Sequence, residues 1–198
     1  MDQARFNALA AEGYTRIPLT LETFADLDTP LSLYLKLAAA PNSFLLESVV
    51  GGERFGRYSF IGLPARRALQ SRGFHTEVID DGRVVETDDG NPLDFIERYR
   101  QRQRVYVPPG LPRFCGGLAG YFAYDAVRYI EPRLANCPLP DELGTPDILL
   151  LDTQELAVVD NLAGKIYLIV YVDPKQPGAH AHGLARLATL LAWLRSPL

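Results

Sequence analysis

Two pairs of β-prone runs in this chain are joined by very short connections. His75 to Thr87 is broken only by Asp81-Gly82, a dipeptide that accepts the positive φ angles of a type I′ turn. Further on, the runs Ile148–Val159 and Lys165–Val172 are linked through Asn161-Leu162-Ala163-Gly164. Parallel neighbours need a crossover of a dozen residues or more, so both pairs are read as antiparallel. Helix signals stand apart from these hairpins. Thr29-Pro30 and Asn91-Pro92 each combine an N-cap side chain with proline at the first helical position, where its missing N–H costs nothing. Hairpins between isolated helices predict an α+β fold with largely antiparallel sheets packed with a few helices, and argue against a doubly wound sheet.

After Thr29-Pro30, Leu31, Tyr34, Leu35 and Ala38 follow helical spacing, with Leu33 and Leu37 widening the apolar face and Pro41-Asn42 ending the element. Ser43–Val50 (SFLLESVV) is short and apolar and reads as a buried strand. Gly51-Gly52 breaks it, and Arg57–Ile61 reads as its partner strand. Leu93, Ile96 and Tyr99 mark one side of the helix opened by Asn91-Pro92, and Arg100 to Arg104 reads as solvated. Phe114–Tyr124 is glycine-interrupted, which in a strand points to a bulge or close backbone approach. Tyr121, Phe122 and Tyr124 are expected to fill core or inter-domain space, and Asp125 and Arg128 can pair as i, i+3 neighbours. A last helix starts near Pro177 and carries Leu184, Leu187, Ala188, Leu191 and Leu194.

A net charge of −4 lacks the basic excess usual in nucleic-acid binders. Met1–Tyr14 has no signal-peptide pattern, and no apolar run approaches the ~20 residues that span a bilayer. With only Cys115 and Cys137, the expectation is a reduced, soluble, cytoplasmic protein that meets neither nucleic acid nor membrane. His180 and His182 point in different directions on a helix and have no companion ligands, so exposed histidines are expected there. His75 has no identifiable partner, and both cysteines read as structural. Gly116-Gly117 and Gly120 lack the lysine and hydroxyl of a phosphate loop. The residues show no catalytic set and no metal site.

Glu47 differs from its surroundings. It lies in an otherwise apolar run, and burying a carboxylate costs several kcal/mol unless it is paired. Its partner could be Arg54 or Arg57, or the strand edge could face water. Alternatively Glu47 is held ready for a cationic ligand group, with Ser48 nearby; strand alternation places the two on opposite faces unless a strand end or bulge intervenes.

The segment LLESVVGGERFGRYSFIG (Leu45 to Gly62) resembles the N-terminal signature of anthranilate synthase component I, a chorismate-utilising enzyme. In order, GYTRIPL (Gly13 to Leu19), TPLSLYLKL (Thr29 to Leu37), GGLAGYFAYDAVRYIE (Gly116 to Glu131) and PDILLLDT (Pro146 to Thr153) agree with it. The resemblance implies that residues 1–198 are the N-terminal, regulatory part of a longer enzyme. That enzyme converts chorismate to anthranilate and pyruvate with a glutamine amidotransferase subunit (component II), and L-tryptophan inhibits it. The resemblance places the chorismate residues and Mg²⁺ in a C-terminal part that is absent here, so this chain alone is expected to be inactive, with no catalytic residue, metal or cofactor of its own. Carried over by position, the tryptophan contacts are Leu46 as apolar wall, Glu47 for the ammonium, Ser48 as a polar contact, and Arg57 as a basic residue. Such a pocket suits a free amino acid, which needs an anion, donors and an apolar slot.

Two other readings compete. One is the same region of aminodeoxychorismate synthase component I; the other is an assembly module without a ligand site.

Overall fold

The computed structural model describes residues 1–24, 28–47, 56–134 and 142–197. The chain divides into two compact units. The first comprises Met1–Ala65, Gln103–Gly117 and Thr153–Leu198, and the second Arg66–Arg102 and Leu118–Asp152.

Helix α1 (Gln3–Ala11) opens the first unit, capped by Asp2, whose side chain accepts from the Arg5 amide. Strand β1 (Ile17–Phe24) and helix α2 (Pro30–Leu37) follow. In α2, Thr29 and Ser32 cap each other reciprocally, so orphan amides of the first turn are satisfied before packing begins. Strands β2 (Phe44–Leu46) and β3 (Tyr58–Gly62) come next, then the second unit's β4 (Arg67–Arg72), β5 (His75–Asp80), β6 (Arg83–Asp88), α3 (Pro92–Gln101) and β7 (Gly117–Phe122). Strands β8 (Ile148–Thr153), β9 (Glu155–Asp160) and β10 (Lys165–Val172) lead to the last helix, α4 (Ala179–Arg195).

One five-stranded sheet runs β1-β10-β9-β3-β2 and the other β6-β5-β4-β8-β7. The strand pairs with assigned register are antiparallel, which agrees with the α+β expectation. At the hairpin between β5 and β6, Asp81 and Gly82 have φ of 48° and 74°, as a type I′ turn requires.

The main core of the first unit joins Leu33 and Leu37 of α2, Leu187, Leu190 and Leu194 of α4, and Ile61, Val159, Ile166 and Leu168 of the sheet. Each such side chain contributes roughly 1.5–3 kcal/mol by leaving water. Gly183 lets α4 approach closely, because a Cβ there would lie 2.5 Å from Leu19 Cδ1 and 2.8 Å from Val172 Cγ1. In the second unit, Phe95 and Tyr99 of α3 pack on Leu69, Val78, Ile148 and Leu150.

Several sequence expectations change. The single strand expected over Ile148–Val159 is two strands, β8 and β9, in different sheets and different units. The polar interval Asp152-Thr153-Gln154-Glu155, where β8 ends and β9 begins, is the signal that divides the run. In the described part of the buried strand expected over Ser43–Val50, the strand is β2, which lies at a sheet edge, and its last residue, Leu46, is exposed. Residues 48–50 lie outside the described residues. His180 is buried, with Nε2 3.1 Å from the Met1 carbonyl oxygen and its ring tilted against Phe6, whereas His182 is exposed. His75 does have a partner: Nδ1 lies 2.6 Å from Asp89 Oδ1. Leu184 is exposed and Leu190 takes the core position on α4. Tyr121, Phe122 and Tyr124 do not fill a core; they are exposed, because β7 is an edge strand and Tyr124 begins a 3₁₀ turn beyond it. Two glycines of that stretch, Gly116 and Gly120, do permit close packing. A Cβ on Gly120 would overlap the Leu149 carbonyl, and one on Gly116 would lie 2.5 Å from the Tyr171 ring. Asp125 and Arg128 pair at 2.9 Å. Among the described residues, no helix is long and apolar enough to cross a membrane.

Candidate functional site

The candidate residues lie on the connection between β2 and β3. Local chemistry sets its entry. Asn42 takes a left-handed conformation (φ 60°), and Ser43 Oγ donates to the Ala40 carbonyl at 2.6 Å while lying 3.0 Å from the Tyr34 hydroxyl. The chain is thereby tied to the end of α2 before β2 starts. Phe44 then faces Gly62, Leu45 faces Ile61 and Leu46 faces Phe60. Gly62 is required at its position, because a Cβ there would overlap the Phe44 ring.

Below this ladder lies an aromatic cluster. Phe60 and Phe114 meet edge to face at 5.4 Å, Phe44 and Phe114 lie 6.4 Å apart, and Tyr58 and Phe60 6.2 Å. Buried Leu156, Val158, Ile169 and Tyr171 complete it. Burial and the Cys115 contact at 3.4 Å push the Tyr171 hydroxyl well above its usual pKa. Cys115 is a free, buried thiol and so structural in position; Cys137 lies outside the described residues.

Leu46 is 52% exposed, and Glu47, one residue beyond the ladder, is also exposed. Of the readings open to Glu47, its exposure beyond an edge strand agrees with a strand edge that faces water and not with a buried carboxylate. Ser48 lies outside the described residues, as does Arg54, one of the two partners considered for Glu47.

Arg57, the other, is committed elsewhere. Its Nε donates to both carboxylate oxygens of Asp160 at 3.2 Å, and its Nη2 donates to Oδ2 at 2.8 Å. The guanidinium also lies 4.9 Å from the centre of the Tyr58 ring. The hydrogen bond to Asp160 raises the Arg57 pKa further. Burial alone would raise the Asp160 carboxyl, but the Arg57 fork and the amides of Ala163 and Leu162 outweigh it and hold the group below the usual carboxylate range.

Sequence reasoning did not identify Asp160 or Asn161 beyond their place at a turn. Asn161 Nδ2 donates to the Gly56 carbonyl at 3.1 Å and to Ser59 Oγ at 3.3 Å, and the Asn161 amide donates to the Arg57 carbonyl at 2.7 Å. The available signal was an Asp-Asn pair at the end of an apolar strand, a pattern that favours side-chain bonds to nearby backbone. The site thus has an exposed carboxylate at one end of the β2–β3 connection and an anchored guanidinium at the other.

Among the described residues, no three His, Cys, Asp or Glu side chains converge as a metal site. These residues therefore do not supply a set to hold the Mg²⁺ that the resemblance implies for the longer enzyme.

No protein-family model matches the chain. Anthranilate synthase component 1 of Pseudomonas aeruginosa is 56% identical over 199 aligned residues, covering 100% of this chain and 40% of the relative. Its counterpart in Neisseria meningitidis (serogroup C) is 56% identical, over 98% of this chain and 40% of the relative. That of Acinetobacter calcoaceticus is 36% identical over the same shares. The chain thus spans about two fifths of the length of these curated relatives. Among solved structures, anthranilate synthase component I from Streptococcus pneumoniae superposes with a TM-score of 0.53 at 22% identity, covering 89% of this chain and 37% of that one, which supports the α+β fold. The chain belongs to the anthranilate synthase component I family and corresponds to its N-terminal region.

Proposed function

We propose that this chain is the tryptophan-sensing part of an anthranilate synthase. Together with a glutamine amidotransferase subunit, the complete enzyme converts chorismate to anthranilate and pyruvate, and L-tryptophan inhibits it. The observation that carries this reading is the 56% identity, over the whole chain, to a protein named anthranilate synthase component 1. The names of the relatives favour the anthranilate branch over aminodeoxychorismate synthesis. The chorismate and Mg²⁺ chemistry belongs to the part of the enzyme outside this chain, and the chain alone makes no anthranilate. The enzyme works in the cytoplasm.

In this reading the exposed carboxylate of Glu47 takes the ligand's ammonium, Leu46 walls the indole, Ser48 adds a polar contact and Arg57 faces the carboxylate. Tryptophan then acts by linkage: it binds one arrangement of the enzyme better than the other and draws the population away from the active one. The test is inhibition of the complete enzyme carrying Glu47→Ala or Ser48→Phe. Both variants should keep anthranilate formation and lose sensitivity to tryptophan; variants that stay fully sensitive would show that the site is misassigned.

The second reading, an assembly module, draws on the exposed Tyr121, Phe122 and Tyr124 of the second unit, the last of them 94% exposed. Calorimetry with tryptophan and a pull-down with the amidotransferase subunit separate the two readings. The first requires heat of binding that Glu47→Ala abolishes.

A further inference from the structure

Side chains alternate along a strand, and packing shows which way each one points in β2 and β3. Leu45 and Ile61 face each other in the register, and both belong to the core that holds the leucines of α2 and α4. Phe44, Tyr58 and Phe60 pack instead with buried Leu156, Val158 and Ile169, on the opposite face of the sheet. Leu46 shares that second face, because it lies two residues beyond Phe44 and directly across the ladder from Phe60. Yet Leu46 is 52% exposed and Phe60 is only half-buried.

Two apolar side chains thus stand next to each other at the sheet edge, each with part of its surface in water. Phe114 stands beside them: its ring meets Phe60 edge to face at 5.4 Å and lies 6.4 Å from Phe44. Directly opposed side chains of an antiparallel pair have Cβ atoms only about 5 Å apart, so a flat two-ring group laid on Leu46 reaches Phe60 as well. Aromatic rings in offset or edge-to-face contact gain more than their buried area alone supplies, which an aliphatic side chain does not. We infer that Phe60 is a specificity-determining residue of the inhibitor site: with Leu46 it forms the surface that receives the aromatic side chain of the ligand. The inference rests on the tryptophan-site reading of Leu46 and uses neither Glu47 nor Arg57.

Calorimetry on the complete enzyme, at the length of its relatives, tests this with two ligands: tryptophan, and tryptophan fluorinated throughout its benzene ring, which reverses the charge distribution of that ring with little change of shape. Phe60→Leu keeps an apolar side chain and removes the ring. It should weaken tryptophan about tenfold and change the ratio of the two affinities by about threefold or more, because ring-to-ring contact depends on the charge distribution of both partners. Phe60→Tyr retains the ring and should hold both affinities within about twofold of wild type. Phe60→Met, which also lacks a ring, should match Phe60→Leu and serves if that variant does not fold. Equal losses for the two ligands would mark a structural role and overturn the inference, as would a loss in Phe60→Tyr as large as that in Phe60→Leu. So would unchanged tryptophan affinity in Phe60→Leu while Leu46→Ala binds weakly. If Leu46→Ala binds tryptophan as wild type does, the site reading itself falls, and the inference with it.

Discussion

The two hairpins β5–β6 and β2–β3 solve the same problem differently. Between β5 and β6, Asp81 and Gly82 turn the chain within two residues whose positive φ angles suit their types, and the pairing resumes at Asp80 and Arg83. The information is local. Between β2 and β3, the last pair among the described residues is Leu46 and Phe60, and residues 47–57 connect the strands. Its exit is held by Asp160 and Asn161, about a hundred residues away in sequence (103 between Arg57 and Asp160). A tight turn specifies itself but leaves no room for a ligand. A longer connection leaves room for a ligand, and here residues distant in sequence fix the point where β3 begins.

Removing the distant anchor should produce the largest effect on stability. Asp160→Ala leaves two amides and one guanidinium without their acceptor, and should cost about 2–3 kcal/mol in chemical denaturation. If the loss is under about 0.5 kcal/mol, the β2–β3 connection does not depend on that anchor. Next comes Gly62→Ala, which forces the Phe44 ring out of its place across the ladder and should cost about 2 kcal/mol. Gly82→Ala, in the tight turn, places a side chain at φ 74° and should cost about 1 kcal/mol. Hydrogen exchange should show that this last loosening is confined to β5 and β6, with β2 and β3 as protected as before.

Titration sharpens the contrast further. The folded pKa of Asp160 lies below its unfolded value of about 3.9, so its stabilisation is complete above that pH and is lost as pH falls through the folded value. Asp160→Asn should therefore flatten part of the acid limb of a stability–pH curve. His75 has the opposite sign. The hydrogen bond to Asp89 raises its pKa, so its contribution is complete below an unfolded value of about 6.5 and fades as pH rises through the folded one. His75 is about half exposed, so its effect should be the smallest, visible as a slight fall in thermal midpoint above neutrality that His75→Gln removes.

The parts legible in the sequence were those whose cause is local. Thr29-Pro30, Asn91-Pro92 and Asp81-Gly82 each announced an element that the structure contains, because caps and turns depend on a few adjacent residues. Helix α1 was missed because it carries only two buried residues, Phe6 and Leu9, and so shows little periodicity. The break between β8 and β9 was legible as the polar interval Asp152-Thr153-Gln154-Glu155, but that the two halves serve separate cores depends on packing that no local pattern encodes. His180 was misplaced because the carbonyl it meets belongs to Met1, at the far end of the chain. At the candidate site, residue type singled out Glu47, but its exposure follows from an edge position that no local pattern encodes. The Arg57–Asp160 pair was equally out of reach, since either residue has several partners of opposite charge nearer in sequence.

A crystal structure of the complete enzyme grown with L-tryptophan tests the central claim most directly. It should show the ammonium against Glu47 and the indole beside Leu46. Tryptophan lodged elsewhere, with Glu47 neutralised by a side chain of the enzyme itself, would contradict it.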